Sequence, residues 1–149
     1  MNERPILLVE DNPDDQALTL RAITRNNIAN EVVVVEDGAE ALEYFFGPEG
    51  CASNLERDLP AVVLLDIKLP KIDGIEVLRR IRADERTALV PVVILTSSNE
   101  EKDLVNGYKL GCNSYMRNPV DFNQFVEAAR QLGLYWLMMN EPPPDTRPR

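Results

Sequence analysis

Histidine is missing altogether from the 149 residues of this chain. Without an imidazole, Ser-His-Asp and Cys-His catalysis, His-ligated zinc and phosphohistidine chemistry within the chain are all excluded. Cysteine is nearly as scarce: Cys51 and Cys112 lie far apart and form no C-x-x-C metal or redox pattern. Positive charge is in short supply, with 16 Lys+Arg against 25 Asp+Glu and a formal net charge of −9. That balance argues against a nucleic-acid binder, which needs a basic stripe to neutralise phosphates. No apolar run approaches the ~20 residues of a membrane-spanning helix. The opening Met1-Asn2-Glu3-Arg4-Pro5 lacks the basic region and cleavage site of a signal peptide. No G-x-x-x-x-G-K-[ST] or G-x-G-x-x-G occurs, so nucleotide binding has no support. What remains is the expectation of a cytoplasmic protein with a single domain and neither nucleic-acid nor membrane partners.

What is present is a series of short apolar runs alternating with amphipathic stretches. Hydrophobic residues make up 44% and charged residues 28% of the chain, the balance of a globule with a real core. Ile6–Val9 reads as a buried strand that stops at Glu10-Asp11. Asn12-Pro13-Asp14-Asp15 then has the form of a helix start, with an Asn cap, Pro in the first turn and acids favoured by the helix dipole. That helix fades near Asn26-Asn27. Val32–Val35 is a second strand, Asp37-Gly38 opens a second helix, and residues 47 to 60 read as a long surface loop. A third strand, Ala61–Leu65, ends at Asp66, and Asp73-Gly74 leads into a helix with Ile75, Leu78 and Ile81 inward and Arg79, Arg80 and Arg82 on a solvated face. Pro91–Leu95 is a fourth strand ending at Thr96. Glu100–Leu110 is a helix closed by Gly111, Ser114–Met116 a fifth strand, and Asp121 opens a last helix. Residues 141–149, with Pro142-Pro143-Pro144, are a Pro-rich tail beyond a domain of residues 1–140.

Five βα units in series with wholly apolar strands imply an α/β fold. Its sheet is parallel, with helices on both faces and right-handed crossovers. Five strands favour the flavodoxin-like order 2-1-3-4-5, in which ligands sit beyond the carboxyl ends of the strands. Glu10, Asp11, Asp66, Thr96 and Asn118 all fall there. Strands 1 and 3 are neighbours in that order, so three carboxylates are expected to converge. Their mutual repulsion would be relieved by a divalent cation, and Mg²⁺ suits carboxylate, water and phosphate oxygens. Asp66 is then the natural nucleophile toward a phosphoryl group. Thr96 supplies a hydroxyl, Asp11 a direct metal contact and Glu10 an outer, water-mediated one.

Glu10-Asp11, Asp66 with Leu69-Pro70 and Asp73-Gly74, Thr96-Ser97-Ser98, and Tyr115 with Asn118-Pro119 together resemble the receiver domain of bacterial two-component response regulators. The resemblance spans residues 5 to about 139. It implies phosphorylation of Asp66 by a partner histidine kinase, with Mg²⁺ held by Asp11, Asp66 and the backbone carbonyl of Lys68. It also implies a switch in which Thr96 moves toward the phosphoryl group and Tyr115 turns inward. Leu8-Val9-Glu10-Asp11-Asn12-Pro13-Asp14-Asp15, Asp84-Glu85-Arg86-Thr87, Asn113-Ser114-Tyr115 and Leu134-Tyr135-Trp136 resemble single-domain regulators partnered with bacterial phytochrome kinases.

One position departs from the family. Its lysine before the proline after strand 5 is Asn118 here, which donates hydrogen bonds but carries no charge. Phosphorylation is expected to survive with weaker coupling to the switch. The last helix is apolar nearly all round at its end, through Leu132, Leu134, Tyr135, Trp136, Leu137, Met138 and Met139. That pattern points to a homodimer contact through this helix and its neighbours. Two readings remain: a phosphorylation-driven switch acting through protein contact, and a pseudo-receiver serving as an interaction module. On both the chain is a signalling module rather than an enzyme, and an aspartyl phosphatase is a distant third.

Overall fold

The computed structural model describes residues 4–25, 28–48, 50, 51, 59–67, 69–96, 109, 111, 114–117, 123, 124 and 127. The described strands are β1 (Ile6–Val9), β2 (Val32–Val35), β3 (Val62–Asp66), β4 (Val92–Thr96) and β5 (Ser114–Arg117). The helices are α1 (Pro13–Arg25), α2 (Gly38–Phe46) and α3 (Gly74–Ala83). All strand pairs are parallel and the order across the sheet is β2-β1-β3-β4-β5.

Strand alternation sorts the core into two layers. Ile6, Leu8, Val62, Leu64, Val93, Leu95 and Met116 form one layer with Ile23 of α1 and with Ile28. Leu7, Val9, Val63, Leu65, Val92 and Ile94 form the other, against Ala41, Leu42 and Phe45 of α2 and Val77, Leu78 and Ile81 of α3. Helices therefore cover both faces, which is why the strands are apolar on both sides. Phe45 is wholly buried, and truncating such a ring costs about 3–5 kcal/mol.

The helix starts follow local chemistry. Asn12 Oδ1 accepts from the backbone N–H groups of Asp14 and Asp15 at 2.8 and 3.2 Å, so it caps α1. Asp37 caps α2 by accepting from Glu40 N at 2.7 Å, and Asp73 caps α3 by accepting from Glu76 N at 2.9 Å. Gly111 has φ of 87°, the left-handed geometry expected of a residue that closes a helix.

Several expectations need correction. β3 and β4 each begin one residue later than the apolar runs indicate, so Asp66 and Thr96 are the last residues of their strands, and β5 extends one residue further to Arg117. Pro91 lacks an N–H for the ladder, but its carbonyl accepts from Val63 N at 2.9 Å. Cys51, assigned to a surface loop, is buried in the layer beneath α2 and α3. Arg82 does not lie on a solvated face. It is half-buried and donates to the carbonyls of Gly111 (2.9 Å), Ala88 (3.1 Å) and Val90 (2.7 Å). The helices expected over 100–110 and from Asp121 lie almost entirely outside the described residues, as does the tail.

Candidate functional site

The pairing of β1 with β3 sets Leu8 beside Leu64 and Val9 beside Leu65. One step further along the same register, where both strands end, Glu10 meets Asp66. Asp11 follows, and a side-chain oxygen from each of the three acids lies within 4.8 Å of the others. Glu10 is fully buried, Asp66 is 8% exposed and Asp11 is exposed.

The electrostatics of this cluster are unfavourable as they stand. Burial, then the hydrogen bond and negative charge of Asp66, push the Glu10 carboxyl from its ordinary 4.5 up to about 8. The Asn12 N–H, 3.2 Å from Glu10 Oε2, acts in the opposite direction but does not win. In the absence of a cation Glu10 thus keeps a proton at neutral pH and shares it with Asp66. Three oxygens this close, in one half-sunken crevice, are a suitable donor set for a hard divalent cation. Such an ion would remove the repulsion and return Glu10 to its charged form.

The backbone beneath the cluster is fixed from several directions. Glu10 N donates to Val35 O at 3.0 Å, and Gln16 Nε2 reaches back from α1 to Glu10 O at 2.7 Å. Ile67 N donates to Leu95 O at 3.3 Å, and Gly74 N donates to Ile67 O at 2.8 Å. A Cβ on Gly74 would lie 2.1 Å from the Asp66 carbonyl oxygen, so only glycine lets α3 start against the backbone of Asp66. A Cβ on Gly38 would lie 1.9 Å from Ile72 O, so α2 starts equally close to the segment between Asp66 and Gly74.

Of the residues expected at the site, Glu10, Asp11 and Asp66 are brought together. By backbone position, Thr96 ends β4 next to β3, where Asp66 pairs with Leu95, and Tyr115 on β5 pairs with Ile94 of β4. Lys68 and Asn118 lie outside the described residues.

The family described as the response regulator receiver domain matches residues 6–130. The chain belongs to the response regulator receiver domain family. Among solved structures, this receiver is similar to the bacteriophytochrome response regulator RtBRR, with 52% identity and a TM-score of 0.78 over 94% of this chain and 84% of that one. The probable methanogenesis regulatory protein FilR2 of Methanothrix harundinacea is 40% identical over 93% of this chain and 86% of its own length. Response regulator Rcp1 of Synechocystis is 33% identical over 89% of this chain and 88% of its own. A structure of its Mn²⁺-bound form has a TM-score of 0.69, covering 89% of this chain and 94% of that one.

The receiver also uses residues that the sequence reading passed over as supports of the site. Asp37, Gly38, Lys71 and Ile72 dock the segment after Asp66 onto α2. The repeated Asp-Gly pair, at 37–38 and 73–74, was the available signal. In both copies the Asp caps a helix and the Gly permits close approach of a backbone.

Proposed function

We propose that this receiver is a phosphorylation-driven switch that accepts a phosphoryl group on Asp66 from a partner histidine kinase and passes the signal by protein contact. The observation that carries the reading is the convergence of Glu10, Asp11 and Asp66 at the carboxyl ends of two adjacent strands. In the transfer, an ionised Asp66 oxygen attacks phosphorus, the new O–P bond forms and the P–N bond to the kinase imidazole breaks. The donor nitrogen keeps the electron pair, and the product on this chain is an acyl phosphate. Mg²⁺, when bound, supplies positive charge to the equatorial phosphoryl oxygens. Asp11, Asp66 and the backbone carbonyl of Lys68 would hold it, with Glu10 acting through water. The chain's own contribution is to keep Asp66 at the end of β3, with the backbone of the next residue, Ile67, held by Leu95 and Gly74.

Thr96 and Tyr115 are the proposed switch pair, and Asn118 occupies the position of the family lysine. The likeness to RtBRR makes a bacterial phytochrome kinase the proposed donor, and the last helix with its neighbours the proposed homodimer surface. Incubation with Mg²⁺ and acetyl phosphate, read by intact-protein mass spectrometry, tests the function. A phosphoryl adduct that Asp66→Asn abolishes is expected. A folded wild-type protein that takes up none contradicts it and leaves the pseudo-receiver reading.

A further inference from the structure

The connection from Asp66 to α3 is held at both ends, by the β-ladder at Ile67 and by the abutment of Gly74. The structure shows a separate restraint at its middle. Among the described residues other than glycine, Lys71 alone has a positive φ, 66°. Lysine tolerates that region poorly, and the conformation is kept by what surrounds it. The turn sends Ile72 back into the layer beneath α2 and α3, with its carbonyl against Gly38, and leaves the Lys71 ammonium 3.3 Å from Asp37 Oδ2.

The two partners differ in freedom. The Lys71 side chain is 68% exposed, whereas that of Asp37 is 12% exposed. Asp37 Oδ1 is already committed to capping α2. Its other oxygen is therefore a fixed anchor, and Lys71 is the movable end. The Glu40 N–H first, and Lys71 after it, hold the Asp37 carboxyl below its ordinary range, so the anchor stays charged at every pH of interest.

We propose that the Lys71–Asp37 pair is a positioning clamp for phosphoryl transfer, docking the 67–73 segment on the start of α2 and so fixing the backbone that carries Asp66. This rests on Asp66 being the acceptor. Lys71 and Asp37 are positioning residues, acting through the segment between them and the acceptor rather than on the phosphoryl group.

A double-mutant cycle tests it in the full chain. Lys71→Ala removes the movable end. Asp37→Asn removes the anchoring charge but keeps a side chain that caps helices equally well. Each change is expected to slow adduct formation from acetyl phosphate in Mg²⁺ by roughly fivefold, the scale of a partly shielded ion pair. The double variant should be no slower than either single one, because both remove the same interaction. Lys71→Arg should recover the rate to within about twofold. In the same samples, hydrogen exchange of the peptide covering residues 67–74 should quicken in Lys71→Ala and Asp37→Asn, with the melting transition still cooperative. A wild-type rate and wild-type exchange in Lys71→Ala would overturn the clamp, as would effects that multiply in the double variant. If the wild-type chain takes up no phosphoryl group, the acceptor reading fails, and the positioning role fails with it. Exchange still decides independently whether the pair docks the segment.

Discussion

Replacing Glu10 by Gln removes one ionisable carboxyl from the acidic cluster while keeping its shape, and the structure sets the size of the effect. In the metal-free protein the Glu10 carboxyl titrates near 8, against 4.5 ordinarily. A carboxyl whose value is raised on folding leaves the protein most stable below the unfolded value and less stable as pH climbs toward the folded one. Stability in EDTA should therefore fall between about pH 4.5 and pH 8. At roughly 1.4 kcal/mol per pH unit, the whole interval sets an upper bound of about 5 kcal/mol. Because Asp66 shares the burden, a loss of about 2 kcal/mol already meets the expectation. Glu10→Gln should be nearly flat over the same range and more stable than wild type at pH 8. Mg²⁺ should stabilise the wild type more at pH 8 than at pH 5, since binding needs the carboxylates ionised. Urea unfolding at pH 5, 6, 7 and 8, with EDTA or with Mg²⁺, provides the measurement. If Glu10→Gln keeps the wild-type slope in EDTA, the repulsion within the cluster has been misjudged.

Gly74→Ala forces a Cβ to within 2.1 Å of the Asp66 carbonyl. It should cost about 2 kcal/mol or more and slow phosphoryl uptake more than its stability loss explains, read by urea melts beside adduct kinetics. Arg82→Ala strips donors from three backbone carbonyls. A loss of about 2–3 kcal/mol would lower the melting temperature by ~6–9 °C in a domain of this size, and calorimetry showing a fall under ~2 °C would rule the tie out. Asn118→Lys restores the family cation and should strengthen phosphorylation-dependent assembly in light scattering. Unchanged uptake rate and unchanged assembly would show that Asn118 does not weaken the switch.

The acidic cluster was legible in the sequence because it follows from the pattern of apolar runs and from the strand order. Apolar runs that end in acids place Glu10, Asp11 and Asp66 at strand ends, and the strand order makes β1 and β3 neighbours. Their register then does the rest. The supports of the site were not legible, since they arise from contacts between segments distant in sequence. Nothing local to Gly38 says that Ile72 will lie against it, and nothing local to Lys71 says that its partner is Asp37. Arg82 shows a different failure. It lies one turn on from Leu78, so helical spacing sets it beside the inward stripe, and only its charge suggested a solvated face. Its long stem instead lets the guanidinium reach carbonyls on the returning chain. The one-residue shifts of β3 and β4 have a milder cause: polar Asp66 and Thr96 still pair as the strands' last residues, although the apolar runs stop before them.

On the proposed function Asp66, and neither Asp11 nor any other acid, accepts the phosphoryl group. Borohydride cleaves an aspartyl phosphate by hydride reduction of the acyl carbon, releasing phosphate and leaving homoserine at the modified position. Protein treated with acetyl phosphate and Mg²⁺, then reduced, digested and sequenced by mass spectrometry, locates that residue directly. Homoserine at position 66 alone is the predicted result, and homoserine at position 11 or elsewhere, with Asp66 intact, would contradict the account.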